Sequence, residues 1–370
     1  MVGCPMHAIY IIGDGCAGLS LAARADDLPD HQLTLVIPEG APPSQEHIWG
    51  FWRLPGLDEA VSLAHQAWVT WRIVTEETSA ELASVNHPYH ALYRSRWEAH
   101  CRKRAEKAGV QFIEQRETIV DPNAQILDSR PSTIPNGQLM QHFIGWEISA
   151  VGGTFDPSIA TLMDFRCDQS RGIHFIYVLP FSESEALVES TMFSCKREPD
   201  DFFETAISTY LKEHHGQHDY SVTRVEKGAI PMGHLRRSSG PAMGLGGNGG
   251  AIKPSSGYAF AFIQKQIATA ITSAKKRTHR IKIRPPHKSI DLWMDDVFVN
   301  VMKDWPDAAP NIFIRIARGL NGDEFALFLS GEATWPLRLK VIFMMPKWIF
   351  IRSFTRRIVG RYTARLKSSA

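Results

Sequence analysis

Cysteine is scarce in this sequence, and its spacing is not typical of a bridge or a metal site. The chain has five cysteines in 370 residues, an odd number, and no two of them form a CxxC pair. Disulfide frameworks and zinc sites both depend on paired or clustered cysteines, so we expect neither, and no other bound metal. A reducing, cytoplasmic setting fits this usage best.

Long apolar runs are also lacking. The N-terminus, MVGCPMHAIYII, has no charged region followed by a long apolar stretch and a cleavage site. We therefore expect no secretion signal, and a chain that begins with its first strand. Near the other end, the run VIFMMPKWIFI is interrupted by Pro346 and Lys347. It falls far short of the ~20 residues that a membrane-spanning helix needs, so no such helix is predicted.

The chain as a whole has no large excess of positive or negative charge, but its C-terminal part has a local excess of positive charge. The formal net charge of +2 is too small to predict a nucleic-acid partner. From Trp335 to the end, the chain has nine Lys or Arg and no acidic residue, interleaved with aromatic side chains. These are the ingredients of an interfacial segment that meets anionic head groups, which would make the protein cytoplasmic and peripherally membrane-associated. A C-terminal core helix with a solvated basic face is the alternative.

What the sequence does have is the composition of a globular protein and a phosphate-binding pattern at its start. Hydrophobic residues make up 44% and charged residues 22% of the chain, which is ordinary for a folded domain. In AIYIIGDGCAGLSLAARA, a short strand precedes Gly13, Gly15 and Gly18, and a helix follows at once. This GxGxxG turn allows backbone to approach a pyrophosphate at the helix N-terminus. A second strand ends near Glu39, about where a dinucleotide fold has its ribose-binding acid.

The rest of the chain favours FAD over a nicotinamide as the bound dinucleotide. Instead of regular strand and helix alternation, long strand-like runs follow: HFIGWEISA, IHFIYVLPF and ALVESTMF. A second glycine-rich loop, with Gly246, Gly247 and Gly250, then opens into a probable amphipathic helix. A late glycine loop at a helix start suits a fold that returns to cover the flavin. A flexible linker is the alternative for this loop.

A single carboxylate in a strand-like run raises a separate question. In LVEST, strand parity places Leu187 and Glu189 on one face and Val188 and Ser190 on the other. Parity alone favours an outward-facing, solvated Glu189, but it does not exclude burial beside Leu187. A carboxyl group buried among apolar groups has a raised pKa and can keep its proton near neutral pH.

Several motifs, in order, resemble the bacterial lycopene β-cyclases, which lie within the flavoprotein monooxygenase-like folds. The turn at Gly13 is generic, but eight further segments follow in the family's order. They are HIWGFW, LDSRP, FIGWE, TLMDF, FIYVLPFS, LVEST, EKGAIPM and KPSSGYAF.

This resemblance implies an α/β fold of mixed α+β character with three parts. The first is a discontinuous Rossmann-type FAD-binding domain, residues 1–60, 90–142 and 226–285. The second is a mixed β-sheet substrate domain, residues 61–89 and 143–225. The third is a C-terminal helical cap, residues 286–370, which is also the region that would associate with the membrane.

The resemblance also implies an activity. The family converts the acyclic ψ ends of lycopene or a related carotenoid into β-ionone rings, giving γ-carotene and β-carotene. The reaction has no net redox change although it requires reduced FAD, for which NAD(P)H would be the reductant. The first acid of the family's acidic motif corresponds to Glu189. Its second acidic position is Ser190 here, which would leave only one carboxylate at the site.

The chemistry of such a cyclisation assigns expected roles. A buried acid protonates an alkene, and the resulting cation is stabilised by the acid's anion and by aromatic faces. Glu189 is the expected acid, with reduced flavin as the alternative proton donor, and Asp164 is a candidate second catalytic carboxylate. Asp128 and Glu39 are expected at the flavin, although the alignment places Pro38 at the usual ribose-binding position. The expected pocket residues are His47, Trp49, Phe51, Trp146, Tyr177 and Glu226.

Four of these residues have an alternative, purely structural role, and the proposed activity has two competing functions. Asp164 would otherwise be a strand-end residue, Asp128 a turn cap, Glu226 a surface strand residue and His47 a hydrogen-bonded structural residue. The competing functions are a flavin-dependent monooxygenase or halogenase, and a flavoprotein that binds a polyene without turnover.

Overall fold

The computed structural model describes residues 6–40, 44–115, 123–233, 242–277 and 280–353. The strands within these ranges are β1 His7–Ile12, β2 His31–Pro38, β3 Ile48–Trp52, β4 Gln66–Trp68, β5 Thr70–Val74, β6 Ser79–Ala83, β7 Tyr89–Tyr93, β8 Gln111–Gln115, β9 Gln125–Asp128, β10 Met140–Ala150, β11 Ile159–Asp164, β12 Ile173–Pro180, β13 Glu185–Ser194, β14 Tyr220–Pro231 and β15 Met243–Gly244. The α-helices are α1 Cys16–Ala22, α2 Asp58–Leu63, α3 Arg94–Lys107, α4 Asp200–His215, α5 Phe260–Arg277, α6 Ser289–Asp304, α7 Ala309–Gly319, α8 Gly322–Leu329 and α9 Trp335–Met344. Short 3₁₀ turns lie at Ala25–Asp27 and Pro306–Ala308.

A five-stranded parallel sheet, in the order β15-β9-β1-β2-β8, holds the N-terminal strand at its centre. The central strands β1 and β2 are largely apolar, as is typical of parallel sheets with helices on both faces. Ile11 and Leu35, for example, are fully buried. All five strands run in one direction, so their carboxyl ends meet at a single edge, where the predicted glycine turns lie.

A seven-stranded mixed sheet forms the second layer, in the order β14-β10-β13-β12-β11-β5-β6. Its neighbours pair antiparallel except β11 and β5, which run parallel. Leu187 of β13 packs into the core shared with the C-terminal helices, whereas Val188 packs with Ile207 and Leu211 of α4 on the other face. The alternation expected for LVEST therefore holds, and it orients Glu189 toward the C-terminal helices.

A small antiparallel sheet, β3-β7-β4, lies between these two sheets. Trp52, Trp68 and Tyr89 from its strands are almost fully buried. Trp52 contacts Tyr258 from the segment that precedes α5, with ring centroids 5.3 Å apart. This sheet thus joins the core of the seven-stranded sheet to the segment that leads into α5.

Helices α6 to α9 form the expected C-terminal cap, and buried ion pairs tie it together. Lys253 donates to Asp295 of α6 at 2.7 Å, with both side chains at most 6% exposed. Arg338 of α9 binds both carboxylate oxygens of Asp291, also on α6. The first pair joins the cap to the KPSSGY loop, and the second joins two cap helices.

Two predicted domain limits, after residue 142 and before residue 226, fall inside strands β10 and β14. Both strands belong wholly to the seven-stranded sheet, over residues 140–150 and 220–231. A limit inside either strand would divide a hydrogen-bonded ladder, so these limits belong at the strand ends.

No α-helix in the described part of the chain is long and apolar enough to cross a membrane. The basic segment that we expect to contact a membrane lies partly outside the described residues, from 354 to 370. Its described part comprises α9 and residues 345–353, of which 347–353 are helical.

Candidate active site

A cavity of about 750 Å³ lies between the seven-stranded sheet and the cap. It extends toward the start of α1 and the KPSSGY loop, because Cys16, Ser256 and Gly257 are among its lining residues. Its wall is mainly apolar and aromatic, with Phe143 and Phe175 from the sheet and Phe313 and Phe328 from the cap. A pocket of this kind suits an apolar ligand and excludes water from most of its surface.

One row of residues across the sheet supplies the polar floor of this cavity. Tyr177 on β12 pairs with Glu189 on β13, Glu189 with Gly145 on β10, and Gly145 with Glu226 on β14. Directly paired residues point to the same face of a sheet. Since Gly145 has no side chain, the two carboxyl groups face a shared gap. A Cβ at Gly145 would lie 3.1 Å from Cγ of Glu226 and 3.4 Å from Cβ of Glu189.

Glu189 is a buried acid that can hold a proton. Its side chain lines the cavity, the residue is only 7% exposed, and its Oε1 accepts a 2.5 Å hydrogen bond from the Thr191 hydroxyl. Burial is the main cause that raises the pKa of Glu189 to about 8, and the nearby charge of Glu226 also raises it. The hydrogen bond from Thr191 lowers this pKa, but by less. The carboxyl group is therefore available as an acid near neutral pH.

Glu226 occupies the same cavity in a different electrostatic setting. Its Oε2 accepts hydrogen bonds from the Arg224 guanidinium at 2.9 Å and from the backbone N–H of Ile48 at 3.1 Å. Burial raises the pKa of Glu226, and Arg224 acts against that shift. Two carboxylates in one apolar site resist joint ionisation, and the cation at Arg224 favours Glu226 as the ionised partner.

Three tyrosine hydroxyls meet beside Glu189. Tyr89 Oη lies 3.0 Å from Tyr177 Oη and 3.4 Å from Tyr258 Oη. Burial raises the pKa of all three phenols well above their usual value, so they remain neutral. A Cβ at Gly50 would overlap the Tyr89 hydroxyl, which explains the glycine in HIWGFW. This group can polarise the wall near Glu189 without adding charge.

His47 and Trp49 also line the cavity, as we expected from HIWGFW. His47 packs edge-on against Phe143, with ring centroids 6.2 Å apart. Burial, together with the charges of Arg94 and Arg224, lowers the pKa of His47 to about 4, so its imidazole is neutral. Trp49 stacks on Phe260 at 5.3 Å. Trp49 therefore lies where the cavity approaches the first residues of α5, whereas His47 lies against β10.

The GxGxxG turn has the form that the sequence predicts. Gly13 has φ +100°, a conformation that favours glycine, and a Cβ at Gly18 would overlap the backbone oxygen of Gly13. At Gly15, the nearest atom to such a Cβ is Arg94 Nη2 at 3.8 Å, so the space above this residue is open. Helix α1 begins there without a side-chain cap or an acid in its first turn. The residues present therefore fit a pyrophosphate group.

Two more loops reach the same edge of the parallel sheet. Asp128 ends β9, and its carboxylate binds the backbone N–H, Nε and Nη2 of Arg130. Although burial opposes it, these bonds lower the pKa of Asp128. The predicted glycine loop follows β15, and a Cβ at Gly246 would overlap that of Ala17 in α1. Of the other predicted residues at this edge, Gly247 and Gly250 lie in the same loop, and Glu39 follows β2 in an exposed position.

The cavity wall near the KPSSGY loop holds buried polar atoms without a hydrogen-bond partner among the described residues. They are Gln141 Oε1, Ser256 Oγ and Asp295 Oδ2. Buried polar atoms usually have partners, so this group indicates contact with a polar ligand edge. A Cβ at Gly257 would lie 2.6 Å from Gln141 Oε1, so only a glycine leaves room for this acceptor.

Asp164 does not belong to this site, which corrects its predicted catalytic role. It is fully buried and does not line the cavity. Its carboxylate binds Nε, Nη2 and the backbone N–H of Arg166, and accepts a 2.8 Å hydrogen bond from Tyr210 of α4. Despite its burial, these partners lower the pKa of Asp164. It is an ionised structural residue.

Trp146 and Phe51 are also outside the cavity lining, contrary to the predicted pocket. Trp146 is adjacent to Gly145 in β10, so parity turns it to the opposite face, where it packs near Tyr220. Phe51 is buried between His90 and Phe260. Both side chains pack behind residues that line the cavity and do not contact the cavity themselves.

Ser190 faces away from the cavity, and the site nevertheless has two carboxyl groups. The Ser190 hydroxyl lies 2.8 Å from His174 Nε2 in a fully buried pair. An acid at this position would point away from Glu189. The LVEST motif itself contributes only Glu189, and the expected pocket residue Glu226 supplies the second carboxyl group from β14.

Sequence reasoning missed several residues of the site. Thr191 shares the face of Glu189 by simple alternation, so its position could have been inferred from parity. Tyr258 lies within the quoted KPSSGY motif. Tyr89 and the cap residues carried no local signal, because distant pairings bring them to the cavity. Arg224 binds Glu226 without lining the cavity.

Solved structures with the same architecture place the fold among flavin enzymes. A geranylgeranyl bacteriochlorophyll reductase-like protein from Thermoplasma acidophilum superimposes with a TM-score of 0.59 at 13% identity, covering 95% of this chain and 99% of that one. A flavin-dependent halogenase from Xanthomonas campestris gives 0.52 at 13% identity, covering 90% and 83%. An oxygenase of 2-methyl-3-hydroxypyridine-5-carboxylic acid gives 0.51 at 14% identity, covering 87% and 95%.

These likenesses and the sheet topology define the class: a Rossmann-type FAD-binding fold of the flavoprotein monooxygenase kind. Within this class, the model of the lycopene cyclase protein family matches residues 8–354, nearly the whole chain. The chain therefore belongs to the lycopene cyclase family. No match was found among curated protein sequences.

Proposed function

We propose that this protein is a lycopene β-cyclase, which converts the ψ ends of lycopene to β-ionone rings and yields γ-carotene and β-carotene. The observation that carries the proposal is Glu189, a buried acid with a pKa raised to about 8, at the floor of an aromatic cavity in a member of the lycopene cyclase family. A hydrocarbon substrate offers no polar handle, so shape and apolar contact must position it.

The proposed reaction begins with proton transfer from Glu189 to the terminal alkene. Thr191 orients the carboxyl group, and the cavity excludes the water that would trap a cation. Once ionised, Glu189 attracts the tertiary carbocation electrostatically. Phe143, Phe175 and Tyr177 line the same cavity, and their faces add cation–π attraction. The neighbouring double bond then closes the ring, and loss of a proton completes the reaction without net redox change.

FAD is the proposed cofactor, in its reduced form, with NAD(P)H as the reductant. The turn from Gly13 to Gly18 and the loop with Gly246, Gly247 and Gly250 would hold the pyrophosphate side. Asp128 would contact the ribityl chain and Glu39 the ribose. Reduced FAD would supply an electron-rich ring system that stabilises positive charge. Gln141 and Ser256 provide partners for a polar ring edge.

Expression in cells that accumulate lycopene tests the proposed function. We expect lycopene to be converted to γ-carotene and β-carotene of identical mass, resolved by chromatography with mass detection. Stoichiometric consumption of O₂ and NAD(P)H with an oxygenated or halogenated product would instead establish a monooxygenase or halogenase. Unchanged lycopene that remains bound to the flavoprotein would establish a non-catalytic binder.

The cap carries an exposed apolar surface that we propose as the site of peripheral membrane contact. Trp335, Phe343 and Trp348 are 60%, 69% and 72% exposed. Ile342, Lys347 and Ile351, from the same stretch, line the cavity, so the surface adjoins a route to it. Aromatic side chains beside basic residues favour binding to anionic bilayers.

Replacing Trp335, Phe343 and Trp348 together by serine should weaken binding to phosphatidylglycerol vesicles by about tenfold or more, since apolar burial contributes ~25 cal/mol per Å². Vesicle flotation measures the bound fraction. Val85→Ser with Val151→Ser is the matched control, because these side chains are 76% and 70% exposed elsewhere. Equal flotation of the triple variant and the control would refute the proposed contact surface.

A further inference from the structure

Two carboxyl groups at one cyclisation site raise the question of which one removes the ring proton. The overall reaction takes up a proton at one carbon and releases a proton from another. A single acid could do both in turn. The cross-strand row in this cavity, however, presents Glu189 and Glu226 on either side of Gly145, both buried and both lining the cavity.

The hydrogen-bond partners of Glu189 and Glu226 differ, and the difference favours a protonated Glu189 and an ionised Glu226. Glu189 accepts a hydrogen bond from the neutral Thr191 hydroxyl. Glu226 has a guanidinium and a backbone N–H on one oxygen. Charged donors bind carboxylates more strongly than neutral donors do. The shared proton of such a pair therefore resides on Glu189, and Glu226 remains a base.

We propose that Glu226 is a catalytic residue that removes the ring proton, and that Arg224 is the positioning residue that keeps Glu226 ionised. This inference rests on the proposed cyclase function. It divides the two proton transfers between two carboxyl groups at opposite sides of the Gly145 gap.

The proposed steps balance without any additional reactant. The O–H bond of Glu189 breaks, and its proton forms a C–H bond at the terminal alkene. The neighbouring double bond supplies the electron pair for the ring C–C bond, which moves the cation into the ring. Glu226 then takes a proton from the carbon next to the cation, and that C–H electron pair becomes the ring double bond. After product release, the proton returns from Glu226 to Glu189.

Other groups near Glu226 are poorer bases. The phenols of Tyr89, Tyr177 and Tyr258 are neutral donors. His47, from the segment before β3, lines the cavity, but its pKa of about 4 makes it a weak base. Glu147 on β10 shares Arg224 with Glu226, at 2.9 Å from Nη2, and also accepts from Tyr93. Glu147 does not line the cavity.

A Glu226→Gln variant tests the inference in the purified holoenzyme with lycopene and reduced FAD. We expect the cyclisation rate to fall by about 100-fold or more, the scale of general-base catalysis. With lycopene deuterated at the carbon that loses its proton, the isotope effect should increase relative to wild type. The products should shift toward rings in which the double bond lies elsewhere. Glu226→Asp should restore part of the rate.

A merely structural role for Glu226 would lower the rate without changing the isotope effect or the products, and that result would overturn the inference. An Arg224→Gln variant gives a second test that does not depend on the folding of Glu226→Gln. Loss of the cation raises the pKa of Glu226, so the rise of activity with pH should move to higher pH. A lower rate with an unshifted profile would also overturn it.

Failure of the inference can be told apart from failure of the proposed function. If wild-type protein cyclises lycopene while Glu226→Gln retains its rate, products and isotope effect, only the role of Glu226 is wrong. If wild-type protein does not cyclise lycopene, the proposed function fails and takes the inference with it.

Discussion

Glu189→Gln should reduce cyclisation of lycopene by about 1,000-fold or more, within the ~10²–10⁴ range of general acid catalysis. The amide keeps the size of the side chain and can still accept the Thr191 hydrogen bond, but it has no acidic proton. Wild-type activity should also decline as pH rises through about 8, because Glu189 then loses the proton that starts the reaction. Pigment chromatography at several pH values measures both effects.

The control for this substitution is Glu185→Gln, at the exposed start of the same strand β13. It should retain wild-type activity. FAD absorbance of the purified variants shows whether the cofactor site is intact. A Glu189→Gln protein that binds FAD and still cyclises lycopene at the wild-type rate would exclude Glu189 as the acid.

Gly18→Val should eliminate FAD binding and lower the melting temperature. Any Cβ at residue 18 would overlap the backbone oxygen of Gly13, and backbone cannot move aside as a flexible side chain can. The turn must open, so the helix N-terminus and the strand end lose their alignment. Overpacking of this kind costs ~1–3 kcal/mol or more. The flavin absorbance of purified protein and a thermal melt report the two effects.

Gly15→Ala separates cofactor contact from folding. Its Cβ would have Arg94 Nη2 at 3.8 Å as nearest neighbour, so the protein should fold normally but bind FAD less tightly. Gly153→Ala, whose Cβ would lie 3.7 Å from Glu183 Oε2, should change neither property. Normal FAD binding by Gly18→Val would contradict the proposed cradle.

Local patterns predicted the parts of this structure that depend on local geometry. The strand, turn and helix around Gly13 follow from glycine positions and an apolar run. The face of Glu189 follows from two-residue alternation. The pattern Asp-x-Arg, moreover, occurs at both Asp128 and Asp164, and at both positions the arginine binds the preceding carboxylate. The pattern therefore predicts the local ion pair at both positions, but it does not distinguish an aspartate at the predicted cofactor edge from a structural one.

The remaining features depend on pairings between distant segments. Glu189 and Glu226 are brought together by β10, which pairs with β13 on one side and β14 on the other. Neither sequence spacing nor composition reveals that register. The same holds for Tyr89, which reaches the cavity through the small sheet. Trp146 lies outside the pocket that its aromatic character predicts, because it is adjacent to Gly145 in β10 and its side chain points to the opposite face.

The buried pair of Lys253 and Asp295 couples the position of the KPSSGY loop to that of helix α6. Separating two buried ions leaves each uncompensated, at a cost of ~3–5 kcal/mol. Helix α6 and the KPSSGY loop therefore keep their positions together, because a shift of either would leave a buried ion without its partner. Tyr258 ends this loop and meets Tyr89 in the hydroxyl group beside Glu189, so the position of a cap helix is coupled to the cavity wall next to the acid.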